Sequence, residues 1–373
     1  MFRHRLALAA AFVRRAAQTR SYPAVVGVET TNRCNLDCVM CPRQEMTRQI
    51  GDMRELTFKR VIEDIAGKVE FIWLQDYGEP LLNKDTLRFV RMAKAAGLRT
   101  GISTNGTVLV DSVIEDIFDS GLDYIIFALD GATKETYERI RVGARFDRVT
   151  AGIRRFVERK TARAAKVFTV LQCICMEQTQ DEIGAFACSW RVRGIDGLRI
   201  RQLTYSGNDG IFRNDPGRRP CYWLWANPHV KYDGTVVACC QDVNATLALG
   251  NIHEHSFYEI WNGDQMRRLR QMHIDGRQDD IPLCRACNMY QPATAMICGS
   301  VLLPYFTVNR LVPRLETFLS RRRYGQATSD NRHGTPLPNV DSQEVSSAPP
   351  RTAHPNAHLE ADSATAAELT GHP

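Results

Sequence analysis

The sequence predicts an α/β protein, a partial (β/α)6 barrel of the TIM-like kind followed by a small cysteine-rich module. Three observations predict this fold class. Short apolar runs alternate with amphipathic segments over residues 25–202, the alternation stops after Tyr205, and cysteines are concentrated after the first run and again beyond residue 220. Alternating strands and helices favour a parallel sheet with helices outside it.

Six apolar runs are predicted strands, and six amphipathic segments are predicted helices. The strands are Val25–Thr30, Phe71–Gln75, Arg99–Thr104, Tyr124–Ala128, Val167–Ile174 and Gly197–Gln202. The helices lie near Thr57–Ala66, Lys84–Ala96, Ser112–Asp119, Lys134–Ile140, Arg148–Lys160 and Asp181–Val192. In such a barrel the carboxyl ends of the strands meet at one face, so we expect the reactive groups there.

The pattern changes after the sixth strand. Ser206–Pro220 is rich in Gly, Asn, Asp, Arg and Pro and is a predicted linker. Asp233-Gly234 then predicts a two-residue hairpin turn between short strands. Ser256 is a predicted N-cap of a helix that runs to about Met272. These elements indicate a small module and not a further barrel unit.

Charge and composition divide the chain into five predicted segments. Five arginines and no acid occupy residues 1–20, five arginines and one glutamate occupy 301–324, and 325–373 holds six acids against two arginines. The two flanks sum to +9 and the tail to −4, so of the net +6 the centre holds about one charge, which argues against a nucleic-acid groove there. The segments are a basic N-terminal helix (1–20), a barrel (21–205), a module (206–300), a basic amphipathic segment (301–324) and a disordered tail (325–373).

The 12 cysteines indicate a reducing compartment. Several of them are only two or three residues apart, which favours metal binding over disulfides and a cytoplasmic location. The apolar run from Leu6 to Val13 is flanked by arginines and is too short for a spanning helix. A surface helix is the favoured interpretation of this run, and an interfacial helix that touches a membrane or partner is the alternative.

The first cysteine motif follows the first predicted strand. Cys34, Cys38 and Cys41 have the spacing C-x3-C-x2-C. Three thiolates in one short loop can bind three irons of a [4Fe–4S] cluster and leave the fourth iron open. A structural zinc site is the alternative, but it normally needs four ligands. The spacing therefore favours a redox cluster with a vacant coordination position.

This motif resembles that of the radical S-adenosylmethionine (SAM) superfamily. The resemblance implies that the open iron binds SAM and that an electron from the cluster cleaves it to methionine and a 5′-deoxyadenosyl radical. That radical abstracts hydrogen from a substrate C–H bond. Cys34, Cys38 and Cys41 would then be the catalytic and metal-binding residues, and Met40 would pack near adenine.

Further positions resemble the family's SAM-binding motifs, each at the end of a predicted strand. Tyr77-Gly78-Glu79-Pro80 resembles the Gly-Gly-Glu motif with Tyr77 in place of the first glycine. Taken alone, each of these motifs is also an ordinary turn. The residues that the resemblance assigns to SAM binding are Gly78, Glu79, Ser103, Asn105 and Asp130.

A second set of cysteines, Cys221, Cys239, Cys284 and Cys287, resembles the SPASM/twitch extension of radical SAM enzymes. The resemblance implies a fully ligated auxiliary [4Fe–4S] cluster, while four cysteines could also form a zinc site. Cys240 is the fallback for Cys239, because adjacent strand residues face opposite sides.

Larger SPASM proteins carry two more cysteines after this motif. Here the matching positions hold Ala293 and Ile297, and Cys298 lies one residue away. We therefore expect one auxiliary cluster, and two [4Fe–4S] clusters in all. The cysteines predicted to pack in the barrel core are Cys173, Cys175 and Cys188.

The four-cysteine layout most resembles radical SAM dehydrogenases that oxidise an aminocyclitol alcohol. It implies oxidation of a small hydroxylated or sugar-like metabolite, with the auxiliary cluster as electron acceptor and a reductant such as flavodoxin or ferredoxin. A peptide-modifying maturase is one alternative, disfavoured because the first ligand at residue 34 leaves no room for a preceding recognition domain. A non-catalytic iron–sulfur electron carrier is the other, and it would not need Glu79 and Ser103.

Two further features bear on substrate and location. Arg199 and Arg201 alternate on the sixth strand and face the same side, where solvent exposure is favoured over substrate binding. The segment Leu302–Arg323 combines apolar residues with three consecutive arginines, so it is predicted either to touch a membrane or to pack against the bottom of the barrel.

Overall fold

The predicted parallel sheet is present, and it is larger than the sequence indicates. A computed structural model describes residues 2–203, 218–285, 287 and 303–324, all within the unit Met1–Asp330. Its nine strands form one sheet in the order β6-β5-β4-β3-β2-β1-β7-β8-β9. The strands are β1 Val25–Val28, β2 Phe71–Trp73, β3 Arg99–Thr104, β4 Tyr124–Ala128, β5 Phe168–Cys175, β6 Gly197–Gln202, β7 His229–Val230, β8 Thr235–Val237 and β9 Ala248–Asn251.

Helices follow each of the first five strands and cover one face of the sheet. The helices are α1 Phe2–Val13, α2 Glu55–Ile65, α3 Thr86–Ala95, α4 Asp111–Asp119, α5 Lys134–Ile140, α6 Phe146–Ala162, α7 Ile183–Ser189, α8 Phe257–Trp261, α9 Asp264–Ile274, α10 Pro282–Arg285 and α11 Tyr305–Tyr324. Strands β1 to β6 pair in parallel in chain order. The (β/α)6 prediction is therefore confirmed, and the carboxyl ends of these strands meet at one face.

The predicted hairpin is present, since β7 and β8 pair antiparallel. Its turn is not the predicted two-residue one, because the N–H of Lys231 donates to the carbonyl of Thr235 and residues 232–234 form the loop. Its strands extend the barrel sheet, because β7 pairs in parallel with β1, which the sequence does not predict. Gly27 makes this pairing possible, since a Cβ there would lie 2.2 Å from Nδ1 of His229. An unpaired β1 edge would leave its backbone N–H and C=O groups without partners.

The helix predicted from Ser256 to Met272 is instead two helices, α8 and α9, separated by Asn262 and Gly263. The predicted cap is confirmed, because Ser256 and Glu259 form a reciprocal capping box. The continuous prediction was wrong because the glycine favours a break, which lets both helices bury separate apolar faces.

Helix α11 lies along β6 at the edge of the barrel. The N–H of Leu198 donates to Oγ1 of Thr317 at 2.8 Å, so helix side chains satisfy the edge strand. Pro313 does not interrupt this helix, and a Cβ on Gly197 would lie 2.6 Å from Cβ of Pro313. Tyr305 packs with β2 and β4 side chains. Packing against the barrel is therefore observed, and membrane contact stays a prediction.

None of the helices in these described ranges is long and apolar enough to cross a membrane. The predicted tail 325–373, most of the predicted linker 206–217, and Cys298 lie outside the described residues. The five segment boundaries stay predictions.

Candidate active site and cysteine centres

The loop after β1 brings Cys34, Cys38 and Cys41 to the wall of one cavity of about 370 Å³, here called the three-cysteine cavity. Asn32 fixes the loop, because its side chain donates to the carbonyl of Gln49 and accepts from the N–H of Gly51, at 2.9 and 2.8 Å. Burial raises the pKa of all three thiols. The loop therefore presents three thiols together at the carboxyl ends of the strands.

Two hydrogen-bond donors approach these sulfurs. Nη1 of Arg141 lies 3.6 Å from Sγ of Cys38, and Nδ2 of Asn105 lies 3.9 Å from Sγ of Cys34. Such donors stabilise thiolates against the burial that disfavours them. The three thiols and their donors fit the iron–sulfur cluster that the spacing predicts.

Glu79 is buried at the base of the same cavity, where it orders the loop that follows β3. Its carboxylate accepts from Oγ1 of Thr104 and from the N–H of Asn105, both at 2.7 Å, and burial raises its pKa. The carboxylate therefore holds Asn105 in position and still faces the cavity.

Gly78 contacts the segment that leads into the cysteine loop. A Cβ at this position would lie 2.1 Å from the carbonyl oxygen of Thr31, and the next N–H, of Glu79, donates to the carbonyl of Arg33 at 2.8 Å. The glycine is needed for this contact between two loops, a role that the sequence prediction did not include.

Ser103 and Met40 also line the cavity, whereas Asp130 is not among the described residues of its wall. Asp130 is fully buried, and it accepts from Nη2 of Arg141 at 2.6 Å and from the N–H of Ile174 at 2.7 Å. It therefore positions Arg141 beside Cys38, and its predicted link to SAM stays a prediction. Arg141 was missed because its partners lie far away in the sequence.

The second set of cysteines lines another cavity, the four-cysteine cavity. Cys221, Cys239, Cys284 and Cys287 share its wall, and burial raises the pKa of Cys284 to about 12. Cys240 is not among the described residues of this wall and lines the three-cysteine cavity. The predicted strand geometry was wrong, because β8 ends at Val237 and both cysteines also line a third cavity. The geometry therefore favours Cys239 over its neighbour.

Within the described ranges, no three His, Cys, Asp or Glu side chains lie close enough to hold one metal ion.

A third cavity of about 320 Å³, the central chamber, lies inside the barrel. It shares Gln75 and Ser103 with the wall of the three-cysteine cavity, and Trp223 and Cys239 with that of the four-cysteine cavity. The chamber is therefore bordered by both cysteine sites.

Two sequence matches identify the family. A model of the radical SAM superfamily matches residues 28–184, and one of the SPASM iron–sulfur cluster-binding domain matches residues 221–288. The chain is a radical SAM enzyme with a C-terminal SPASM module. The matched ranges contain all seven cysteines of the two sites. Family membership indicates a catalyst that uses SAM and iron–sulfur clusters, and it disfavours a non-catalytic carrier.

Relatives of this radical SAM enzyme have different activities. It is 34% identical over 28% of its length to a tungsten-containing aldehyde ferredoxin oxidoreductase cofactor-modifying protein of Pyrococcus furiosus, spanning 30% of that protein. It is 24% identical to an S-adenosyl-L-methionine-dependent 2-deoxy-scyllo-inosamine dehydrogenase of Niallia circulans, over 71% of this chain and 92% of that one.

The fold has solved counterparts. The structure of BtrN in complex with AdoMet and 2-DOIA matches with a TM-score of 0.50 and 23% identity, over 72% of this chain and 94% of that one. This similarity supports the fold of the radical SAM enzyme and carries no conclusion about its substrate.

A buried ion-pair network, which the sequence analysis missed, connects β7 to the barrel. Nζ of Lys231, fully buried, lies 2.5 Å from Oδ2 of Asp76, in the loop after β2. Glu29 and Arg48 form a second pair at 2.7 Å. Lys231 follows β7 and has no local signal of burial, because its partner lies 155 residues away.

Replacement of Lys231 by methionine is expected to lower the free energy of unfolding by about 3–5 kcal/mol, because it leaves the Asp76 carboxylate buried without a counter-ion. Chemical denaturation measures the change. Lys84→Met, at an exposed position, is the matched control and should stay within about 0.5 kcal/mol of wild type. Adding Asp76→Asn to Lys231→Met should recover part of the loss, and no recovery would contradict the pairing.

Proposed function

We propose that this radical SAM enzyme dehydrogenates a small hydroxylated, sugar-like metabolite held in the central chamber. One [4Fe–4S] cluster would bind at Cys34, Cys38 and Cys41, and an auxiliary one at the second set of cysteines. The observation that carries the proposal is the position of the chamber, whose wall is continuous with both cysteine cavities. A substrate in the chamber would lie next to the three-cysteine cavity, where SAM would bind, and next to the four-cysteine cavity, where the auxiliary cluster would bind.

The residues that would hold SAM are those of the three-cysteine cavity. Met40, Gly78, Glu79, Ser103 and Asn105 line it and would bind SAM directly. Glu79 offers a carboxylate to a ligand ammonium, and charge-assisted hydrogen bonds of this kind are about twice as strong as neutral ones.

Asp130 would act indirectly, through Arg141. Because Arg141 also donates to Cys38, this pair would fix a charged donor beside the cysteine loop.

The clusters, when bound, supply one-electron reduction of SAM on one side and acceptance of one electron from the substrate on the other. In this reaction a substrate alcohol is oxidised to a carbonyl. The alcohol carbon would lose a hydrogen atom to the 5′-deoxyadenosyl radical, and the resulting substrate radical would lose a proton to solvent and an electron to the auxiliary cluster. An external reductant such as flavodoxin or ferredoxin would supply the first electron.

Two observations favour a small metabolite over a peptide. The chamber, at about 320 Å³, is of the size that small-molecule sites have in proteins. The relative with the widest coverage among those described above is a dehydrogenase of a sugar-like compound. A peptide-modifying activity is the competing outcome of the test.

The test is anaerobic reconstitution of the full chain, followed by iron analysis and incubation with SAM and dithionite. We expect about eight irons per chain, for two cubane clusters, and formation of 5′-deoxyadenosine and methionine. A library of polyols and sugar derivatives should contain compounds that yield a carbonyl product in step with 5′-deoxyadenosine. Turnover of peptides but of no polyol would contradict the proposed substrate class, and absence of 5′-deoxyadenosine would contradict the chemistry.

A further inference from the structure

We infer that the substrate carries an anionic group, a carboxylate or a phosphate, and that Arg199 and Arg201 bind it in the central chamber. This inference rests on the proposed function and names the substrate class more narrowly. The ligand would be a hydroxylated acid or a phosphorylated polyol and not a neutral or cationic sugar.

The position of the two arginines supports this inference. Both side chains line the chamber, so the solvent-facing position that the sequence favoured was wrong. They alternate on β6, opposite Gln172 and Ile174 of β5, and therefore point to the same face of the sheet. Among the described residues neither arginine has an ion-pair partner within 4.0 Å, although many other arginines of this chain do.

The charge around the arginines is not balanced by the protein. The proximity of Arg199 is the main cause that lowers the pKa of Arg201, to about 10. Glu316 of α11 and Cys240, which lines the chamber, are nearby groups that can carry a negative charge, and the Glu316 carboxylate accepts from the N–H of Ile200 at 3.3 Å. Burial raises the pKa of Glu316, and a negative charge on only one of these two groups would leave one positive charge uncompensated.

The other charged groups of the described chamber wall cancel. Asp76 lines the chamber and pairs with Lys231, so this pair adds no net charge. Two like charges held together in a partly buried cavity are costly unless an anion binds there. A carboxylate or phosphate matches the planar fork of a guanidinium.

The same chamber holds polar atoms without partners. Both ring nitrogens of buried His229, Oε1 of Gln75 and Oδ1 of Asn227 are buried and have no hydrogen-bond partner among the described residues. Burial lowers the pKa of His229 to about 3, so its neutral ring offers one donor and one acceptor. Buried polar atoms normally have partners, and substrate hydroxyl groups would reach these atoms only after a small movement of the side chains.

The carboxylate of SAM itself is a competing partner for Arg201, which lines both the chamber and the three-cysteine cavity. Arg199 separates the two possibilities, because it belongs to the chamber wall and is not among the described residues of the three-cysteine cavity. Loss of Arg199 should therefore weaken binding of the anionic substrate and leave the affinity for SAM unchanged.

The experiment measures binding to the reconstituted full chain by isothermal titration calorimetry, which requires no turnover. The probes are gluconate, glucose 6-phosphate, glucose and inorganic phosphate. We expect gluconate or glucose 6-phosphate to bind at least about tenfold more tightly than glucose, since a charge-assisted hydrogen bond contributes more than one tenfold step. Arg199→Gln should weaken the anionic probes by about ten- to a hundredfold, and Arg199→Lys by less.

The matched control is Arg193→Gln, at an exposed position outside the chamber, which should bind all probes and SAM like wild type. The inference would be overturned if wild type bound glucose and both organic anions equally tightly, or if neither organic anion bound. It would also be overturned if Arg193→Gln lost as much affinity for the anionic probes as Arg199→Gln. If Arg199→Gln fails to fold, the comparison of the anionic probes with glucose in wild type still tests whether the chamber prefers an anion. Anion binding without SAM-dependent oxidation would contradict the proposed dehydrogenation and leave the anion site supported.

Discussion

Replacement of Cys38 by alanine is expected to abolish SAM cleavage and to leave about four of about eight irons per chain. Only three thiols of the loop line the three-cysteine cavity, so the loss of one leaves two for a cluster that already has an open iron. Cys38 is also the thiol that Arg141 contacts. The measurements are iron per chain and 5′-deoxyadenosine formed under dithionite, which should fall at least about a thousandfold, to the uncatalysed background.

Cys188→Ala is the matched control, because this half-buried cysteine of α7 lies outside the described walls of both cysteine cavities. It should keep the iron content and the SAM cleavage of wild type. If Cys38→Ala still produced 5′-deoxyadenosine at the wild-type rate, the assignment of the three-cysteine loop would be wrong.

The local elements of this fold could be read from the sequence. The predicted bounds of β3, β4 and β6 agree with the structure to the residue. For β4 the reason is plain, because Tyr124–Ala128 is a continuous apolar run of the kind that marks a buried parallel strand. The three-cysteine loop could also be predicted from the sequence. All three of its cysteines lie within eight residues, so their grouping does not depend on a distant part of the chain.

Features that depend on distant pairing could not be found in this way. The pairing of β7 with β1 joins residues about 200 positions apart, and the Arg141–Cys38 contact joins residues 103 apart. Neither leaves a local pattern, because a buried lysine or arginine resembles an exposed one until its partner is known. The inward direction of Arg199 was missed for the same reason, although its alternation with Arg201 was visible.

The second large effect concerns the four-cysteine cavity. Cys239→Ala is expected to lose about four irons per chain while SAM is still cleaved, so that 5′-deoxyadenosine forms but oxidised product falls at least about tenfold. The reason is that the chamber borders Cys239, and a substrate that has lost a hydrogen atom needs an acceptor for its remaining electron. The ratio of carbonyl product to 5′-deoxyadenosine measures this uncoupling.

Cys240→Ala is the sharpest comparison, because the two cysteines are neighbours that both line the central chamber, and only Cys239 is among the described residues of the four-cysteine cavity. It should retain about eight irons, since Cys240 is not among the described residues around the four-cysteine cavity. Iron lost from Cys240→Ala but retained in Cys239→Ala would reverse the ligand assignment. Full iron with coupled product in both variants would contradict an auxiliary cluster held at this hairpin, and with it the route by which the substrate electron leaves the chamber.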